Sequence, residues 1–585
     1  MKVHVTKLIA LFTILAMVFS LFACSNGSKT IRSTTVSSQE AVTTSAPATT
    51  STQHKNVTVA DMAYERPDLE QIRAKIDDLE SDISRGKPAA ELFASYEAIQ
   101  ADYAHADSML SLSYLLYALD VTESYYKNEY AFLQSELGEL DSEMETVSVH
   151  LFDSSDEAKA LCREKLGEFY MESILNGKDL GGESMQELLD EEEQQTLQYD
   201  QLSATYTLLD NGRRWTLSQI ESDPSLDYDE YIRLYNAYCA GFNEKAGEIF
   251  LNQLNIRSQI AQNLGYPDYA AYCYDYYGRD YTLDDANNLH EAVKQYIVPV
   301  FIEANSKNTS YDLADAEFDQ QSFISALQYA AADFSPLLNE SVSYMVGNNL
   351  YDFSVSASKM DGSFTTYISD YKAPFIFSWW TGGSTDITTV LHELGHFTNY
   401  YLNPAVGYSA ADNLDLAEID SQALVLLMID YYGDFYGKLS KDATKDVLID
   451  AMYSLISGCM EDEFQQIVYS TPGMTLSEMN ASYHELAVEY GLDEVYGYTG
   501  TEWVLISHTF QTPLYYISYA VSMVPALELY ELSQDDPAGA RNAYFNIIKR
   551  SQSMQFQEVL AQNGLSSVFS DSTMQKIASL LEKRF

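Results

Sequence analysis

From residue 66 to about 208, apolar residues recur three and four apart with acids on the remaining faces, and strand-like alternation is scarce. That period predicts helix after helix, with Asp68 to Gly86, Ala89 to Ala104 and Met109 to Leu137 as three of them. Between Ser343 and Trp380 the pattern changes to short β-rich runs, 352–355, 362–368 and 374–380, separated by turn residues, which predict a small sheet. Helical spacing then returns. After Gly382-Gly383, the residues Ile387, Val390, Leu391 and Leu394 form the buried stripe of a helix that Ser384, Thr385 or Asp386 caps and Asn403-Pro404 stops. Leu414 to Leu424 reads as another helix, apolar on most sides yet carrying an acid in its middle, and Cys459 to Ile467 as part of an amphipathic one. The expected fold class is mainly α, with the small sheet beside the helix that begins near residue 384.

Two N-terminal stretches break this pattern. Lys2 and Lys7 precede an apolar run from Leu8 to Phe22 that ends Leu21-Phe22-Ala23-Cys24. A basic start, a short apolar core and a small residue before a cysteine resemble a bacterial lipoprotein signal, so residues 1–24 predict export and lipid attachment at Cys24. Residues 25–57 are rich in Ser and Thr and poor in large apolar residues, a composition that cannot order itself and that predicts a flexible tether at the outer face of a bacterial cell membrane. No other run approaches the roughly 20 apolar residues of a membrane span. The rest divides, on this reading, into a helical N-terminal lobe at 58–207 and a catalytic region at 208–585.

Composition narrows the partners. The chain is 46% hydrophobic, as a globular body is, but its net charge is -52, which repels nucleic acid and anionic headgroups. The acidity serves solubility; a preference for basic peptides is the second reading. Besides Cys24, the cysteines Cys162, Cys239, Cys273 and Cys459 are scattered without short-range pairs, and buried free thiols are expected.

The chemistry lies in Leu391-His392-Glu393-Leu394-Gly395-His396, a complete His-Glu-x-x-His. Residues four apart share a helix face, so His392 and His396 can offer two imidazole nitrogens to one cation, and zinc suits that geometry. Glu393, beside the first ligand, is placed to act as general base on a water rather than as a ligand. His290-Glu291 and His484-Glu485 lack the second histidine and read as ordinary helix-surface residues. A catalytic zinc takes three protein ligands, and Glu418, the acid inside the apolar helix 414–424, is the expected third, reached by a loop over 403–412 that folds this helix back on the first. Further along, His508 and the tyrosines Tyr515, Tyr516 and Tyr519 cluster in a stretch able to stabilise an oxyanion.

His392-Glu393-Leu394-Gly395-His396 followed by Glu418-Ile419-Asp420-Ser421-Gln422 resembles the thimet oligopeptidase and oligoendopeptidase F family of zinc peptidases. Asn255 to Tyr266, Tyr269-Ala270 and Gly278-Arg279-Asp280-Tyr281-Thr282 are similar to a second segment of that family. His508 and Tyr519 match a third, its His-Phe-Tyr segment ending Tyr-x-Tyr-Ala; Tyr515 and Tyr516 compete for a further role, and Pro513 stands where some relatives carry a tyrosine. The resemblance implies a two-lobed helical body around a deep channel, one Zn²⁺ held by His392, His396 and Glu418, and oligopeptide substrates cut at internal bonds. Its implied catalytic residues are Glu393, His508, Tyr519 and Tyr516. An exported peptide- or solute-binding lipoprotein and a zinc carboxypeptidase are the alternatives. The exposed edge of the small sheet is expected to pair with extended peptide.

Overall fold

The structure, a computed structural model, describes residues 56–166, 171, 183–223, 225–307, 313, 316–360, 362–404, 413–550 and 554–585. The expected signal segment, the lipidated Cys24, nearly all of the tether and most of the 403–412 loop lie outside these residues.

The body is built mainly of helices. α1 (Leu69–Ser84) starts where the Asp68 carboxylate accepts from the Gln71 amide, and Gly86, at φ +67°, follows its end. α2 (Ala89–Leu119) and α3 (Ser124–Asp153) divide differently from the expectation. The sequence reading ends a helix at Ala104, yet nothing between 104 and 109 breaks one. The break falls at 120–123, where Asp120 Oδ1 binds the amide and hydroxyl of Thr122, and the Glu123 carboxylate caps the next helix through the Tyr125 amide. Continuous α2 carries His105 and Ser108 to Asp370, at 2.6 Å and 3.1 Å, tying the N-terminal helices to the sheet.

After α4 (Glu183–Thr205) comes a hairpin, β1 (Leu208–Asp210) and β2 (Arg213–Trp215), absent from the sequence reading. Its turn, Asn211-Gly212, has both residues at positive φ, 48° and 82°, the arrangement that matches strand twist. α5 (Tyr228–Asn263) and α6 (Tyr269–Tyr276) follow, each capped by an aspartate, Asp227 and Asp268.

The second sheet has the order β3-β5-β4, with β3 (Tyr351–Asp352) parallel and β4 (Phe364–Ile368) antiparallel to β5 (Ala373–Phe377). It lies against α7 (Ser384–Leu402), as expected, but its strands are shorter. Ser354 folds onto the Asp352 carboxylate and leaves the ladder, and the indoles of Trp379 and Trp380 bond the Met360 and Phe318 carbonyls instead of extending β5.

α7 begins at Ser384 with Gly383 as its N-cap and no side-chain cap, so none of the three candidates caps it. Asp386, inside the first turn, instead accepts the Gly382 amide that precedes the helix, at 2.7 Å. Ile387, Val390, Leu391 and Leu394 are fully buried, as their spacing requires. α8 (Leu414–Leu427), capped by Asn413, packs across α7 and against α11 (Ile517–Asp535), while α9 (Ser440–Ser470), α10 (Ser507–Gln511) and α12 (Pro537–Ile548) complete the surroundings. Cys162, Cys239, Cys273 and Cys459 are buried free thiols. No helix of the described residues is long and apolar enough to cross a membrane.

Candidate metal centre and active site

The site starts from one glycine. A Cβ on Gly395 would lie 2.4 Å from both the Asp420 carbonyl oxygen and the Ser421 Cα, so at this crossing α7 and α8 touch backbone to backbone. Any side chain here would push the helices apart. The close crossing brings Glu418 to the two histidines: ligand atoms of His392, His396 and Glu418 all lie within 4.8 Å of one another, and His392 Nε2 is 3.7 Å from Glu418 Oε2. α8 is locked in this register by Asp420, which takes Arg550 Nη1 on both oxygens (2.9 and 3.0 Å) and the Asn399 amide of α7, while Tyr544 donates to its carbonyl at 2.8 Å.

Burial sets the protonation of the three. It lowers His392 to about 4, and holds His396 well below the ordinary histidine range with His392 and Arg550 adding to the effect. It raises Glu418 to about 8, Glu393 beside it contributing, against the lowering donations of Ser421 and Tyr515. Two neutral imidazoles and a fully buried carboxyl that lacks a cation are the donor set of a metal site. His396 Nε2 is buried without a hydrogen-bond partner, as a ligand nitrogen would be. The residues therefore fit a single divalent cation with nitrogen and oxygen ligands.

Glu393 is buried one residue past His392, and Thr365 of β4 donates to both its carbonyl (2.9 Å) and its Oε2 (2.7 Å). The sheet thus orients the carboxylate, a role for Thr365 that the sequence reading lacks.

The second wall comes from α10 and α11. The His508 ring stacks on Tyr515 at 5.4 Å and meets Tyr516 and Tyr519 edge-on at 5.5 and 6.1 Å. Its pKa is lowered to about 4 by burial, so it is a neutral imidazole, and its Nδ1 is buried without a partner. Tyr515 donates to Glu418 Oε1 at 3.4 Å; Tyr516 and Tyr519 line a pocket together with His392. Tyr515 therefore stands on a ligand, Tyr516 and Tyr519 share a pocket with His392, and His508 packs against all three tyrosines.

Several residues that hold this wall escaped the sequence reading, which took 255–282 as core and turn chemistry. Arg257 is wholly buried and binds the Thr509 carbonyl at 3.1 Å, the Phe510 carbonyl and Glu192. Arg279 Nη2 donates to the Leu514 carbonyl at 2.7 Å, and Gln465 accepts the Leu514 amide at 2.8 Å. Leu514 sits at φ +61°, a left-handed conformation that costs a non-glycine residue roughly 1–2 kcal/mol. Two clamps, one on its amide and one on its carbonyl, keep it there, and the bend turns Tyr515 toward Glu418. The signal was available: a buried arginine must find acceptors, and both arginines lie in the segment that resembled the family.

One expectation is corrected. His290 is not a surface residue; it is 1% exposed, with Nε2 3.1 Å from the buried Asp462 that Tyr274 also donates to. Its helix faces the core along α9, so Leu289 and His290 are both inside. His484 is exposed, as expected.

The comparisons with known proteins bear on the N-terminal domain and the fold. Residues 59–177 match the family model described as the Peptidase M3 N-terminal domain. The chain thus carries an M3-type N-terminal domain, and its likeness to solved peptidases is one of fold. Among solved structures it is similar to PZ peptidase A with an inhibitor, at 24% identity over 90% of this chain and 98% of that one, with a TM-score of 0.78. A putative oligoendopeptidase F gives 24% identity, the same coverages and a TM-score of 0.77, and one from Bacillus anthracis gives 22% over 91% and 98%, with a TM-score of 0.74. No curated protein matches the sequence. The resemblance to the oligoendopeptidase family and the mainly α fold read from the sequence are thus borne out.

Proposed function

We propose that the protein is a zinc-dependent endopeptidase that hydrolyses internal bonds of oligopeptides. The observation that carries this reading is the convergence of His392, His396 and Glu418 within 4.8 Å beside a carboxylate, Glu393, that Thr365 holds in place. When bound, zinc supplies Lewis acidity, polarising the scissile carbonyl and lowering the pKa of the attacking water. His392 and His396, neutral through the physiological range, and Glu418 hold the ion. Glu393 accepts the proton of the attacking water and then delivers it to the leaving amine. Thr365 restricts that carboxylate to one orientation. His508 and the Tyr519 hydroxyl donate to the oxyanion as it develops on the substrate, with Tyr516 beside them. Residues 1–24 would export the chain and Cys24 carry its lipid, the 25–57 stretch tethering a helical lobe at 58–207 and the catalytic region at 208–585 outside the cell.

The test is cleavage of an internally quenched peptide of about ten residues blocked at both ends, by chain from residue 58 onward. The expected result is internal cleavage that a chelator stops and one equivalent of zinc restores. Cleavage confined to peptides with a free carboxyl end would replace this reading with a carboxypeptidase.

A further inference from the structure

Beside the histidines lies a pocket of about 110 Å³ whose lining includes His392, Tyr516 and Tyr519 at the metal-ligand end. One water needs ~10–15 Å³, so this is room for a long side chain. Its walls are aliphatic, supplied by Val425 and Leu426 of α8, Val447 of α9 and Met523 of α11. Into this apolar space the chain puts one acid: Asp450 is the sole carboxylate among the described lining residues. It accepts no hydrogen bond and meets no cation among the described residues, and Asp446, one turn earlier on α9, faces it with a second negative charge. A second acceptor waits nearby. Gln422, 6% exposed, uses its amide nitrogen on the Tyr519 carbonyl at 3.3 Å, while its Oε1 is buried without a donor.

A lone carboxyl among aliphatic walls is costly unless something enters to pair with it. An aliphatic side chain would bury it further. An acidic one would be repelled. A lysine or arginine lays its methylenes along apolar walls and ends in N–H donors, which answers both features at once. We propose that Asp450 makes this pocket a subsite for a basic side chain on the residue flanking the scissile bond, with Val425, Val447 and Met523 covering its stem and Gln422 Oε1 taking a further N–H. This rests on the peptidase reading, and it adds the substrate class. Burial, with Asp446 adding to it, raises the Asp450 carboxyl well above the usual range, and an entering cation reverses that penalty. The net charge of -52 steers the same peptides toward the protein.

The test uses the zinc-loaded full chain and doubly blocked peptides that differ at one position, lysine against norleucine and arginine against citrulline, moved stepwise across the cleavage site. At the position that fills the pocket, kcat/KM for the charged member should exceed that for its neutral isostere by at least about tenfold. Asp450→Asn should bring that ratio to about one. Each ratio is taken within one protein, so a lower folded fraction in the variant cancels. A ratio near one in the wild type, or one that survives in Asp450→Asn, overturns the proposal. Binding of the same pairs to Glu393→Gln, read by fluorescence anisotropy, keeps the two readings apart. Turnover without discrimination sinks the subsite and leaves the peptidase standing; tighter binding of the charged peptide without turnover sinks the peptidase and supports the subsite.

Discussion

The two walls of the site are held by different means. The ligand wall is local: His392 and His396 are one turn apart on α7, and α8 lies against them backbone to backbone at Gly395. The proposed oxyanion wall is held from afar. Its His508 and tyrosines depend on Arg257 from α5, which holds the Thr509 and Phe510 carbonyls, and on Arg279 from beyond α6 and Gln465 from α9, which clamp a strained bend at Leu514. Close packing, with the Asp420 hydrogen bonds beside it, fixes the first, and clamps on loop backbone fix the second. A damaged ligand wall should therefore lose metal, while a damaged oxyanion wall should keep metal and lose rate.

The largest effect tests the ligand wall alone. Glu418→Gln removes the anionic ligand, and both zinc content and turnover should fall by at least about a thousandfold, as read by metal analysis and peptide cleavage. Gly395→Ala comes next, because its methyl group would enter the Asp420 carbonyl. About 1–3 kcal/mol of destabilisation is expected from overpacking, together with weaker zinc binding, measurable by denaturant titration and a competing chelator. An unchanged metal affinity would mean that the helix crossing does not position Glu418.

Arg279→Met sharpens the contrast from the other side. It frees Leu514, so kcat should drop by about 10- to 100-fold while zinc stoichiometry stays at one. Loss of zinc in this variant would erase the distinction between the walls. The smallest expected effect joins them: Tyr515→Phe removes the 3.4 Å donation to Glu418 and should weaken zinc by about tenfold or less.

Protonation separates the walls as well. Without metal, Glu418 titrates near 8 and the histidine His392 near 4. Below pH 8 the Glu418 proton must leave for zinc to bind, so the logarithm of the zinc association constant should rise by about one per pH unit from pH 5 to 8 and level off above. The same shift acts on stability. A carboxyl with a folded pKa above its unfolded value contributes stability below about 4.5, and that contribution is lost as pH rises through 8, so the metal-free protein should lose it across this window. His508, at about 4, stays neutral there and should add no pH dependence to zinc binding, while its lowering from 6.5 makes stability fall as pH drops from 6.5 toward 4.

The same division explains what the sequence could tell. Helix period, capping aspartates and the four-residue spacing of His392 and His396 are short-range signals, and even Glu418 was legible as an acid in an apolar helix. Gly395 gave no sign of its role, because a close approach needs the partner helix in place. Thr365, Arg257, Arg279 and Gln465 act across more than twenty residues of chain, and no local pattern specifies their partners. The helix break expected after Ala104 was misplaced for a related reason: Asp370, the partner of His105 and Ser108, lies in the distant β4–β5 turn.

The central claim concerns Glu393, the one buried acid of the motif that holds no metal. The direct measurement is zinc content and turnover of Glu393→Gln on a doubly blocked peptide, beside wild type. The amide keeps the shape of the carboxylate and can no longer take a proton, so one zinc should remain bound while cleavage falls by about 100- to 10,000-fold. Cleavage that persists near the wild-type rate with zinc in place would contradict a general base at Glu393 and the mechanism built on it.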